Sequence, residues 1–69
     1  MFTKKEELLL CLRNFPGVIA EPEIEGECPT RLRVETKSAD DVQGVEALLH
    51  MLGWSGWEVK GVILLIDWD

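Results

Sequence analysis

The run Val62-Ile63-Leu64-Leu65-Ile66 constrains the fold of this chain more than any other stretch. A strand with one wet face alternates apolar and polar residues. This run does not alternate, so both of its faces require cover. A chain of 69 residues has few elements to supply it, and a domain of this size buries only about 60% of the surface its unfolded form exposes. The run therefore reads either as a central buried strand or as a surface that another molecule covers.

The elements around it follow from spacing. Thr3 and Glu6 have the T-x-x-E spacing of a capping box, in which each side chain satisfies an end N–H of the other. Leu8, Cys11, Leu12 and Phe15 then recur on one side, predicting a helix from about Lys4 to Asn14 that Pro16-Gly17 ends. A strand is expected from about Val18 to Glu25, with Pro22 confining it to an edge or a bulge. Gly26-Glu27-Cys28-Pro29 reads as a turn. The next strand, Thr30 to Lys37, sets Leu32, Val34 and Thr36 against Arg31, Arg33, Glu35 and Lys37. If these two strands form a hairpin, Glu21, Glu23 and Glu25 can lie across from the arginines.

Ser38 followed by Asp40 and Asp41 marks a second helix start. Val42, Val45, Leu48, Leu49 and Leu52 form its apolar stripe, and Gly53 stops it. Gly44 lies at the edge of that stripe, where a missing side chain leaves room for another backbone. Trp57 to Trp68 reads as one last strand, half-exposed at first and buried on both sides at its end. The expected fold class is α+β, a small two-layer sandwich in the order α-β-β-α-β. A three-stranded sheet with an antiparallel hairpin is packed by two helices, in one domain over residues 1–69.

Composition narrows the function classes. The formal charge is −6, from 13 acidic and 7 basic residues. Nucleic acid and anionic membranes are bound by basic surfaces, so direct binding to either is disfavoured. An acidic surface suits a basic protein partner, and it equally serves solubility alone. No segment approaches the roughly 20 apolar residues of a membrane span. The apolar stretch after Lys4 and Lys5 is too short for a secretory leader, and a cytoplasmic location is expected. Cys11 and Cys28 have no metal-site spacing, and one His is too few for structural zinc, so two reduced thiols and no cofactor are expected. His50, four residues after Glu46, reads as a surface pair. The acids Glu21, Glu23, Glu25 and Glu27 make a poor chelate at strand spacing.

Surface is what remains. Leu10 and Met51 project from the polar sides of their helices, and Trp54, Trp57 and Trp68 add apolar area beyond what a small sheet needs. The function expected is that of a non-enzymatic protein-interaction module, with a basic partner or a second copy of itself. One concrete form is an inhibitor that fills the nucleic-acid groove of an enzyme, as small acidic phage-encoded inhibitors do. The contact residues expected are Glu21, Glu23, Glu25, Asp40, Asp41, Trp54, Trp57, Leu64 and Trp68, with no catalytic or metal residue. Two alternatives stand beside it. One is an accessory subunit whose C-terminal strand completes a neighbour's sheet. The other is a small enzyme or metal protein whose site has no familiar pattern.

Overall fold

The computed structural model describes residues 3–19, 21–26 and 30–68. In chain order it contains α1 (Lys4–Arg13), β1 (Glu23–Glu25), β2 (Arg31–Glu35), α2 (Ala39–Met51), β3 (Trp57–Lys60) and β4 (Ile63–Asp67). The four strands form one antiparallel sheet in the order β1-β2-β4-β3.

Both helices begin where the sequence sets caps. Thr3 and Glu6 form the reciprocal capping box of α1. Ser38 accepts from the Asp41 N–H at the start of α2. The end of α2 is a Schellman motif. Gly53, at φ 81, donates its N–H to His50 O, and Trp54 donates to Leu49 O at 2.9 Å. A glycine takes that left-handed conformation without a Cβ penalty, and the two bonds satisfy carbonyls that the helix leaves open.

The helices run antiparallel on one face of the sheet. Lys4 Nζ at the start of α1 donates to Gly53 O just past the end of α2. At the other end, Phe15 lies against Gly44, and Gly17 lies against the Asp41 carboxylate. Gly44 thus makes room for an aromatic ring, where the sequence suggested a backbone. The core joins Leu8 and Leu12 of α1, Val42, Val45 and Leu49 of α2, Leu32 and Val34 of β2, and Leu64 and Ile66 of β4. Thr36 is buried with them. Its hydroxyl donates to Val62 O at 2.7 Å, so the burial leaves no orphaned group.

The single last strand expected from Trp57 to Trp68 is two strands, so the sheet has four strands where three were anticipated. Lys60 pairs with Ile63, which leaves Gly61 and Val62 as a two-residue loop. Gly61 has φ 65, and no described non-glycine residue has positive φ. That combination matches a type II′ hairpin turn, whose first linking position favours glycine. The reversal changes which residues share a face. Trp57 and Val59 lie opposite Ile66 and Leu64 on the helix side, while Glu58 and Lys60 lie opposite Leu65 and Ile63 on the other. Val62 leaves the buried run and is exposed.

The strand expected from Val18 to Glu25 is also shorter. Val18 bridges Thr36, and Ile19 donates to Glu35 O. Regular pairing with β2 resumes only at Glu23, opposite Arg33. This side of the pair advances four residues from Ile19 to Glu23 while β2 moves back two, from Glu35 to Arg33. Pro22, which has no N–H to give a ladder, lies in that interruption. Beyond it, the glutamates do face the arginines: Glu23 is paired with Arg33, and Glu25 with Arg31.

Candidate functional site

Both helices occupy one face of the sheet, and the opposite face is open. The register places ten side chains there: Glu23 and Glu25 of β1, Arg31, Arg33 and Glu35 of β2, Ile63, Leu65 and Asp67 of β4, and Glu58 and Lys60 of β3. The open face answers the question raised by Val62–Ile66. Leu64 and Ile66 point into the core, while Ile63 and Leu65 lie half-buried on the open side. Leu65 has Arg33 on one flank and Glu58 on the other; Ile63 has Glu35 and Lys60. The aliphatic stems of such long side chains can cover apolar neighbours while their charged heads stay wet. Cover for the second face of β4 therefore comes from its neighbours' side chains.

Those charged heads form a lattice across the strands. Arg31 meets Glu58 at 3.1 Å and Asp67 at 4.0 Å. Arg33 meets Glu35 at 3.0 Å and Glu25 at 3.8 Å. Exposed pairs of this kind contribute about 0–1 kcal/mol each, so their main effect is to fix register and side-chain direction. Five carboxylates (Glu23, Glu25, Glu35, Glu58, Asp67) face three cations (Arg31, Arg33, Lys60), and the face stays acidic after its arginines are engaged.

The expected contact residues lie in several parts of the fold. Leu64 is wholly buried in the core and Trp68 is 7% exposed, so neither offers surface to a partner. Trp68 stacks on Trp54, with ring centroids 5.5 Å apart and planes 7° from parallel. Lys4 sits 5.1 Å over Trp54 and Lys5 5.3 Å over Trp68. The stack and both lysines line a hollow of about 330 Å³ with Ser55, Gly56 and Asp67. Trp57 is half-buried; its indole N–H donates to Glu46 at 3.0 Å and its ring meets His50 at 80°. Glu46 and His50, expected to pair with each other, instead both converge on Trp57.

The acids divide into two groups. Glu21 pairs with Arg13 at 2.9 Å beside a shallow depression of about 370 Å³ between the end of α1 and the segment before β1. Glu23 and Glu25 belong to the open face. Asp40 and Asp41 are in the first turn of α2, and Asp41 accepts from Ser38 Oγ. The tryptophans gather near the other end of that helix, and its 13 residues make it about 20 Å long. The expected contact residues are therefore spread over more than one surface. Glu27 and Cys28 lie outside the described residues. Cys11 is a free, half-buried thiol. Among the described residues, no three His, Cys, Asp or Glu side chains are grouped as a metal site, and no helix is long and apolar enough to cross a membrane.

Sequence reasoning missed two parts of this surface. The run Val62–Ile66 reads either as buried or as covered by another molecule, so Ile63 and Leu65 are not singled out as its exposed side, and β3 is not separated from the rest of the last strand. The signal for both was Gly61, a lone glycine between two strand-like halves. Comparison with protein-family models, curated proteins and solved structures finds no match to this chain.

Proposed function

We propose that this chain is a non-enzymatic protein-interaction module that presents the open face of its sheet to a basic protein surface. The observation that carries this reading is the half-exposed pair Ile63 and Leu65 at the centre of an acidic frame. Apolar contact at the centre and charge at the rim is the usual anatomy of a protein interface. The net charge of −6 adds steering toward a cationic partner. An inhibitor of a nucleic-acid-binding enzyme is one form such a module takes, since the groove of that enzyme is basic.

The accessory-subunit alternative moves to a different strand. β4 is flanked by β2 and β3 and has no edge to lend a neighbouring sheet, whereas β3 does.

Affinity capture with the intact chain tests the reading, using the wild type and an Ile63→Lys variant. The wild type should retain a basic protein that added salt releases, and the variant should lose it while remaining folded, as a cooperative thermal melt shows. A retained protein that is indifferent both to salt and to Ile63→Lys would contradict the proposal.

A further inference from the structure

We propose that β3 pairs edge to edge with β3 of a second copy of this chain, antiparallel, about a two-fold axis through Val59. This goes beyond the open-face reading and does not depend on it.

The backbone geometry identifies the groups that are available. Asp67 donates its N–H to Gly56 O at 2.9 Å, so Gly56 and Asp67 are a hydrogen-bonded pair of the β3–β4 ladder. Hydrogen-bonded and non-bonded pairs alternate along antiparallel strands. Glu58 with Leu65 and Lys60 with Ile63 are then bonded pairs as well. The N–H and C=O groups of Trp57 and Val59 point the other way, out of the sheet edge. An exposed row of that kind is a template for another strand. The opposite edge is poorer, because β1 has three residues and Pro22 stands just before it.

The side chains identify the occupant. With Val59 on the axis, Glu58 lies opposite Lys60 of the partner subunit, and Lys60 lies opposite Glu58 of the partner subunit. Both contacts fall on the open face, where Glu58 already meets Arg31. Val59, 41% exposed, meets its own copy on the helix side. A lysine on an edge strand usually discourages pairing. Here the glutamate two residues earlier makes the edge complementary to itself, and opposite charges across a pair favour the register. The product is a continuous eight-stranded sheet with closed two-fold symmetry. Its contact is short, so the dimer is weak and dependent on concentration.

Sedimentation of the intact chain up to about 1 mM, the weak end of specific association, tests the proposal. The wild type should approach twice the 7.8 kDa mass of one chain. Glu58→Lys and Lys60→Glu should each stay monomeric, because each sets like charges against each other. The double variant should regain the dimer, and an equal mixture of the two single variants should form a mixed dimer about tenfold tighter than either alone. Thermal melts establish that each variant is folded. A wild type that remains monomeric, or single variants that dimerise like the wild type, overturns the proposal. Folded monomeric single variants with no recovery in the double variant or the mixture overturn the register.

Discussion

Glu46, in the middle of α2, accepts the indole N–H of Trp57 at 3.0 Å and so ties the helix layer to the edge strand β3. A partly buried hydrogen bond of this kind contributes about 1 kcal/mol. A double-mutant cycle on Glu46→Ala and Trp57→Phe should show a coupling of about that size in urea melts. Trp54 provides the contrast, since its indole N–H is buried with no partner. Trp54→Phe should therefore cost about 1 kcal/mol less than Trp57→Phe, because no hydrogen bond is lost. Equal losses with no coupling would contradict this assignment.

Gly44 and Phe15 give a substitution whose sign depends on its neighbour. Alanine is favoured over glycine inside a helix by about 1 kcal/mol. A Cβ at Gly44, however, would meet Phe15 Cζ at 2.8 Å. Gly44→Ala should lower the melting temperature of the wild type and raise it in a Phe15→Leu background. Stabilisation in both backgrounds would show that the ring yields without cost.

Gly61 tests the hairpin. A Cβ there meets nothing within 4 Å, so any penalty comes from backbone conformation alone. Gly61→Ala should destabilise by about 1 kcal/mol and Gly61→Asn by less, since Asn tolerates positive φ. A neutral Gly61→Ala would mean that the chain does not turn at this position.

How much of this was legible in the sequence follows from the same residues. Caps and stripes are local, so Thr3, Glu6, Ser38 and the apolar positions of both helices could be read directly. The alternation of Arg31 to Thr36 likewise gave β2 and its core face. The last segment could not be read by periodicity, because Trp57–Lys60 and Ile63–Asp67 continue one alternating pattern through Gly61. One residue with positive φ folds that pattern back and exchanges the partners of every position. The spread of the expected contact residues over the fold was hidden for a related reason. Strand register decides whether Leu64 or Leu65 faces outward, and the distance from Asp40 to Trp54 is set by how α2 lies across the sheet.

Arg33 separates packing from charge on the open face. Its stem lies beside Leu65, and its head reaches Glu25 and Glu35. Arg33→Met keeps an apolar stem of similar length and should stay within about 0.5 kcal/mol of the wild type, as surface ion pairs contribute little. Arg33→Ala uncovers Leu65 and should cost about 1 kcal/mol more than Arg33→Met, measured by urea denaturation. Equal costs would mean that the guanidinium, and not its stem, stabilises this face.

The central proposal is that β3 is an open edge that pairs with a second copy of this chain. Amide hydrogen exchange at low and high protein concentration tests it most directly. The Trp57 and Val59 amides should exchange quickly in dilute solution and slowly in concentrated solution, while those of Leu64 and Ile66, bonded to β2, stay slow in both. Exchange at Val59 that is fast at every concentration, or slow even when dilute, would contradict the account.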